Sequence, residues 1–226
     1  MTRFGHLFVI TYGRSGSTLL QGILNAIPGY LIRGENGGVV SYVKHLVDHT
    51  MRVAESYGSI SKEPSDPWYG IADVQRSDLV ESLRTMVIRD VIRPGPEHRC
   101  TGFKEIRYGP DRAPDLGAYL DFMEELFPGA CFVFNERDVG ATARSGFWAT
   151  QPDAHGYLAH FLDRMRNTYD RGRGNYAWVN YDDYRDSPEA LRPLFVFLGE
   201  EWEEDRLRHL MTRTHSTRTI AASTTS

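Results

Sequence analysis

The apolar run Leu7-Phe-Val-Ile10 leads at once into Thr11-Tyr-Gly-Arg14-Ser-Gly-Ser-Thr18, and then into apolar residues at Leu19, Leu20, Ile23, Leu24 and Ile27. A short apolar run, a Gly/Ser turn and apolar positions three and four apart read as strand, loop and helix. Such a turn aims backbone N–H groups and the positive end of a helix at one point above the strand, and its glycines let the backbone approach an anion closely. Ser17 and Thr18 add hydroxyl donors and Arg14 a fixed positive charge. Gly13, Arg14, Ser15, Gly16, Ser17 and Thr18 therefore read as a phosphate cradle; the alternative is a plain Gly/Ser loop opening an ordinary helix. The usual nucleoside-triphosphate loop ends in Gly-Lys-Ser/Thr, with the lysine on the outer phosphates and the hydroxyl on Mg²⁺. Here Ser17 follows Gly16, and the cation stands earlier, at Arg14.

Further strand-like runs follow at Thr101–Ile106, Ala130–Glu136 and Ala177–Tyr181, after the first at Leu7–Thr11. Helical patterns separate them: Ser17–Ile27, Val39–Tyr57, Asp73–Ile92, Asp115–Phe127, Gly140–Ala149, Ala154–Arg171 and Pro188–Leu198. Ser187 and Pro188 suit the start of the last of these, and Gly199 its end. Strands alternating with helices predict an α/β fold, a mostly parallel sheet covered on both faces. Ligands of such sheets bind beyond the carboxyl ends of the strands, where the cradle lies. Residues 39–100 read as a helical and loop insertion that shapes a substrate pocket. Within it Lys62–Gly70, with two prolines and the adjacent Trp68 and Tyr69, is a loop that covers a substrate or packs on the domain. Residues 212–226 show no periodicity and read as a flexible tail.

A chain of 226 residues fits one domain, 1–226, with one substantial core. A net charge of −4 argues against general nucleic-acid binding but leaves room for a local basic pocket. The two cysteines, Cys100 and Cys131, lie beside apolar runs and have no metal spacing, so they read as buried thiols. The first strand starts within a few residues of Met1, and no apolar run nears the ~20 residues of a membrane span. A cytoplasmic protein without a membrane span is expected.

A second signal is Phe132-Val-Phe-Asn-Glu-Arg137-Asp138, an apolar strand ending in an arginine, with Ser145 eight residues further on. At that distance, about two helical turns, a guanidinium and a hydroxyl can meet on one phosphate. Arginine suits the task because its fork of donors matches phosphate oxygens. The alternative is a strand-end arginine paired with Asp138. Together, Gly13-Arg-Ser-Gly-Ser-Thr-Leu-Leu20 and Arg137-Asp…Ser145 resemble the 5′-phosphosulfate loop and the 3′-phosphate site of sulfotransferases, the enzymes that use 3′-phosphoadenosine 5′-phosphosulfate (PAPS). The family usually has Pro after the Asp, where Val139 stands here. Tyr181-Asp-Asp-Tyr184 followed by Phe195-Val-Phe-Leu-Gly199 resembles the family's late Tyr-Glu-Asp-Leu…Phe-Leu-Gly segment. The resemblance spans about residues 5 to 200, the middle insertion apart. It implies a three-layer P-loop-like fold, PAPS as donor, 3′,5′-adenosine bisphosphate as product, and Tyr181 as a contact to the adenine; a core aromatic at a strand end is the other reading of Tyr181.

The resemblance also suggests catalytic roles. Arg14 and Lys104, the latter matched by order and context in Gly102-Phe-Lys-Glu-Ile106, would stabilise charge on the bridging oxygen. Small-phenol sulfotransferases place a histidine two residues beyond this lysine; Ile106 stands there and cannot take a proton. Other members, among them tyrosylprotein and some bacterial carbohydrate sulfotransferases, resemble this chain in placing a Glu soon after the first helix, which makes Glu35 the expected general base and Glu105 the fallback. Glu35 merely paired with Arg33 is the alternative. No metal is expected: His45 and His49 share a helix face without a third ligand, and His155 and His160 form no motif. The tail residues Arg213, His215, Ser216 and Arg218 match a late basic segment only weakly. The expected activity is sulfuryl transfer to an unidentified hydroxyl or amine; a degenerate phosphate-loop kinase or NTPase and a non-catalytic nucleotide-binding module are the alternatives.

Overall fold

The computed structural model describes residues 3–208 and Met211, so the expected tail at 212–226 lies outside the described residues. Five strands, β1 (His6–Ile10), β2 (Tyr30–Arg33), β3 (Cys100–Glu105), β4 (Ala130–Glu136) and β5 (Tyr176–Asn180), form one sheet in the order β2-β3-β1-β4-β5. Every pairing is parallel, with Val9 opposite Lys104 and Ile10 opposite both Glu105 and Phe134. Among the described residues the α-helices include α1 (Ser17–Asn25), α2 (Val39–Tyr57), α3 (Arg76–Met86), α4 (Leu116–Leu126), α5 (Val139–Ala143), α6 (Ala154–Tyr169), α7 (Tyr181–Tyr184) and α8 (Arg192–Leu198), and residues 204–208 are helical as well.

Side-chain alternation along the central strands gives two cores. Phe8, Ile10, Phe103, Phe132 and Phe134 face α2, α4 and α6, whereas Leu7, Val9, Cys131 and Val133 face α1 and α8. A sheet buried on both faces needs apolar residues at consecutive positions, which is why these strands read as unbroken apolar runs. The result is the expected three-layer α/β fold. Among the described residues no helix is long and apolar enough to cross a membrane.

Strand β2 is absent from the sequence reading. It has four residues, sits at the sheet edge after Pro28-Gly29, and is too short to display a period. The insertion therefore starts after the second strand in the chain, not after the first. The helix expected over Asp73–Ile92 is a 3₁₀ turn (Ile71–Asp73), an extended Val74-Gln75, then α3, which runs on as a π-helical turn over Val87–Ile92. The helix expected over Gly140–Ala149 stops at Ala143; Ser145 is extended and a 3₁₀ turn follows at Gly146–Thr150. Pro188–Leu191 is 3₁₀ before α8 begins, and the Ser187 hydroxyl donates to the Glu189 carboxylate at 2.5 Å, leaving the backbone without a side-chain cap. Gly199 closes α8 in the left-handed conformation, as expected.

Gly102 is needed where β3 lies against Leu7 of β1. A Cβ there would stand 1.8 Å from the Leu7 carbonyl oxygen, an approach only glycine allows. Gly102→Ala is expected to cost about 2–3 kcal/mol of stability, visible as a lower denaturant midpoint with an unchanged m-value.

Candidate active site

The loop after β1 turns on two left-handed residues, Arg14 at φ 67° and Gly16 at φ 77°. Gly16 is required for a second reason: a Cβ would lie 2.0 Å from Cδ2 of Tyr181, whose ring packs directly on the loop. The underside of the loop is tied down by a buried polar knot. The Thr11 hydroxyl donates to the Asn135 carbonyl oxygen at 2.7 Å and lies 2.6 Å from the Ser15 hydroxyl. The Asn135 amide donates to the Ser15 carbonyl oxygen at 3.1 Å, and the Tyr184 hydroxyl donates to Asn135 Oδ1 at 2.6 Å. Burial pushes the Tyr184 phenol well above its ordinary range, so it remains a donor. The Ser15 side chain is thus turned inward and only its backbone faces the cradle side. Ser17 is buried and Thr18 exposed.

Arg137, Ser145 and Tyr181 converge on this loop from three separate segments. Arg137 Nη1 donates to the Arg14 carbonyl oxygen at 3.0 Å, and its guanidinium lies 5.1 Å from the Tyr181 ring centroid. Arg14 Nε donates to the Ser145 hydroxyl at 3.2 Å. It is the break after α5, not a continuous helix, that delivers Ser145: the left-handed Gly146 (φ 59°) turns the chain, and a Cβ there would meet Arg14 Nε at 2.7 Å. Arg137 Nε is buried and has no hydrogen-bond partner. A charged donor left unpaired in the interior is costly, and an anion seated between Arg14, Arg137 and Ser145 would satisfy it. Asp138 does not take that role, because its carboxylate caps α5 by accepting the Ala141 N–H at 2.7 Å.

The second cluster stands at the ends of β2 and β3. Lys104, almost wholly buried, donates to Glu35 Oε1 at 2.6 Å, and Arg107 Nη1 lies 3.4 Å from Glu35 Oε2. Arg33 is engaged elsewhere, donating to the Ile92 carbonyl oxygen at 2.7 Å, so Glu35 pairs with the strand lysine. Glu105 differs sharply. One of its oxygens accepts the N–H groups of Asn36 and Gly38, and the other those of Ile106 and Arg107 together with Arg107 Nη1 at 3.0 Å. Burial raises its pKa, but those four amides and the Arg107 charge outweigh it and hold the carboxyl below its ordinary range. A carboxylate so fully occupied shapes the loop that carries Glu35 and has no lone pair left for a substrate proton.

A cavity of about 300 Å³ adjoins the cradle at Gly13 and the Glu35 cluster at Arg107. Its walls come from the segments after β1, after β3 and after α5 and from helix α6; none of them comes from residues 39–100. Helix α2 of that insertion instead lines a neighbouring cleft of about 460 Å³, which shares Asp111 and Arg112 with the first. Trp68 stacks on Tyr57 at 4.7 Å, away from both. A further cavity at Arg99 and Glu200 lies at the end of α1 remote from the cradle. His45, His49, His155 and His160 are exposed, and among the described residues no three metal-ligating side chains cluster.

Both clusters stand at the carboxyl ends of a parallel sheet, one on a strand–loop–helix and the other at the ends of β2 and β3. A model of the sulfotransferase family matches residues 6–204, and the chain belongs to that family. The sulfotransferase domain of the Synechococcus PCC 7002 olefin synthase superposes with a TM-score of 0.54 at 21% identity, over 89% of this chain and 74% of that one. The sulfotransferase domain from the curacin biosynthetic pathway gives 0.55 at 15%, over 90% and 76%. Sulfotransferase STF9 from Mycobacterium avium gives 0.51 at 13%, over 93% and 68%. These are likenesses of fold. No curated protein sequence matches the chain significantly.

Sequence reasoning passed over Asn135, Tyr184, Phe147 and the scaffold role of Glu105. Asn135 carried a signal, a polar residue inside an otherwise apolar buried strand. Glu105→Gln is expected to lower stability at pH 7 by about 1–3 kcal/mol, because amides on a charged acceptor lose half their strength. The Glu105 contribution is present above the ordinary carboxylate pKa and is lost as pH falls through its depressed value. Denaturant unfolding should therefore show the gap between the two proteins closing below about pH 4.

Proposed function

We propose that this protein moves a sulfuryl group from PAPS to a hydroxyl or amine acceptor by in-line displacement, with Glu35 as general base. The observation that carries the reading is the buried, unpartnered Arg137 Nε at the meeting point of Arg14, Ser145 and Tyr181. On this reading Arg137 and Ser145 hold the 3′-phosphate, the loop Gly13–Thr18 holds the 5′-phosphosulfate through its backbone, and Tyr181 packs on the adenine. The bound donor supplies a sulfuryl group already activated by its phosphate leaving group. Arg14 and Lys104 stabilise charge that builds on the bridging oxygen, the electrostatic role that dominates transfers of this type. Glu35 accepts the acceptor proton, and its bond to Lys104 fixes the direction from which it does so. Four cationic side chains at the site do the neutralising that Mg²⁺ does in phosphoryl transfer, and no metal is required. With both cysteines free and buried, a reducing cytoplasmic setting suits the chain.

The competing readings make opposite demands on nucleotide binding. In calorimetric titrations, 3′,5′-adenosine bisphosphate is expected to bind without metal and ATP with Mg²⁺ to bind far more weakly. ATP binding without bisphosphate binding would overturn the proposal in favour of a degenerate phosphate-loop kinase. Arg137→Ala should weaken the bisphosphate by about 1.5–3 kcal/mol, roughly 10- to 150-fold. Glu35→Gln should abolish transfer while leaving bisphosphate affinity within about twofold, since the amide keeps the bond to Lys104. Unchanged turnover would remove Glu35 as base, and a wild-type protein that binds the bisphosphate but transfers nothing would be the non-catalytic module.

A further inference from the structure

The cavity between Gly13 and Arg107 is walled by Tyr12, Ile106, Phe147, Trp148, Tyr157 and Phe161. The polar atoms nearest the cradle on this wall are already engaged by the protein. The Tyr12 hydroxyl donates to the Arg137 carbonyl oxygen at 2.6 Å and accepts the Arg137 N–H at 3.0 Å. Burial raises its pKa to about 12, so the phenol keeps its proton for that bond. The Trp148 indole N–H donates to the Gly13 carbonyl oxygen at 2.9 Å. Ile106, Phe147 and Phe161 have no polar side-chain atom. Three charged residues also line the cavity, Arg107 paired with Glu105 and Glu35, and Asp111 paired with Arg112 at 3.5 Å. Beside the cradle itself, the wall presents ring faces and a branched methyl end.

Phe147 holds the decisive position. Its ring lies so close over Gly13 that a Cβ on that glycine would stand 2.7 Å from Phe147 Cζ, yet the side chain is still 48% exposed. From it a row of rings continues outward, Phe147 to Trp148 at 4.7 Å and Trp148 to Tyr157 at 5.4 Å. Exposed rings gathered at a concave site mark a place where an apolar body docks. Arg107 lines the cavity as well, and its Nη1 lies 3.4 Å from Glu35 Oε2, so one guanidinium separates the pocket from the proposed base.

A monosaccharide would bring several hydroxyls into this space, each needing a partner once stripped of water. An aromatic alcohol needs one polar contact only, at the reacting oxygen, and its ring gains from stacking. Carboxylates are weak bases, and a phenol of pKa ~10 yields its proton to one far more readily than an aliphatic alcohol does. We propose that the acceptor is a phenol whose ring stacks on Phe147, and that Phe147 is the residue that determines this specificity. The inference rests on the sulfuryl-transfer reading above. In the step itself the phenolic oxygen forms a bond to sulfur and its proton goes to Glu35. The bond from sulfur to the bridging oxygen breaks, and that electron pair leaves on the 5′-phosphate of the bisphosphate.

The test uses 2-naphthol and N-acetylglucosamine as probes, each titrated against the whole protein with and without 3′,5′-adenosine bisphosphate, then offered as acceptors with PAPS. Naphthol is expected to bind and to be sulfated, and the sugar to do neither. Phe147→Ala should raise the naphthol Kd and KM at least tenfold with kcat within threefold, and Phe147→Tyr should restore both. Because Phe147 is half exposed, its loss leaves both cores intact. Sulfation of the sugar in preference to naphthol, or an unchanged naphthol Kd in Phe147→Ala, would overturn the inference. Bisphosphate binding without naphthol binding would overturn it too while leaving the donor reading intact. Naphthol binding lost in Phe147→Ala, in a protein that does not bind the bisphosphate, would support the aromatic site and overturn the donor reading.

Discussion

The carboxamide of Asn135 stands at the end of β4, shut off from solvent, and joins three parts of the chain. Its N–H reaches the Ser15 carbonyl in the cradle loop, its oxygen takes the Tyr184 hydroxyl from α7, and its own backbone carbonyl takes the Thr11 hydroxyl at the end of β1. Register makes this possible: Ile10 pairs with Phe134, so Thr11, just past the end of β1, stands beside Asn135, which is still in β4. Buried polar groups favour one arrangement only when all of them are satisfied. This knot satisfies them, and it fixes the loop from beneath while Tyr181 and Phe147 press on Gly16 and Gly13. An anion arriving at such a loop meets backbone already in place, so little ordering is needed at the moment of binding.

Two glutamates near the end of the same sheet show how environment divides labour. Glu105 is held by four backbone amides and Arg107, and those bonds close the turn from Asn36 to Gly38 on which α2 begins. Glu35 is held only by side-chain cations, Lys104 and Arg107, which a substrate can displace or share. Arg107 touches both carboxylates, so the scaffold and the proposed base are mechanically linked through one guanidinium. Four cations, Arg14, Lys104, Arg107 and Arg137, face two carboxylates here.

The parts of the fold legible in the sequence were those with long periods or unbroken apolar runs. The four long strands were legible to within one residue at each end and α2 residue for residue, because buried parallel strands and amphipathic helices leave a direct trace in residue order. The edge strand Tyr30–Arg33 left none, and neither did the breaks in Asp73–Ile92 and Gly140–Ala149, which depend on what the chain packs against. For the candidate site, residue identities were legible and their contacts were not. Arg14, Arg137, Ser145 and Tyr181 do converge, yet Ser145 arrives by a turn at Gly146 where a helix was expected. Residues 39–100 were expected to shape the acceptor pocket; helix α2 of that segment lines the cleft that adjoins the cavity at Gly13, and the lining of that cavity comes from other segments. No local pattern encodes which of two nearby segments folds over a loop.

Four consecutive residues tie the two halves of the site into one object. Ser145 accepts from Arg14, Gly146 makes room for the Arg14 guanidinium, Phe147 covers Gly13, and Trp148 donates to the Gly13 carbonyl. On one side this segment completes the cluster around Arg137; on the other it forms the aromatic wall. A shift of the segment therefore cannot loosen one side without moving the other. The conformation of the loop after β1 also sets how far the Phe147 ring stands from Gly13, and so the width of the slot beside it. On the proposed function, donor and acceptor selection would be coupled through this short stretch of backbone, held at one end by an arginine and at the other by an indole.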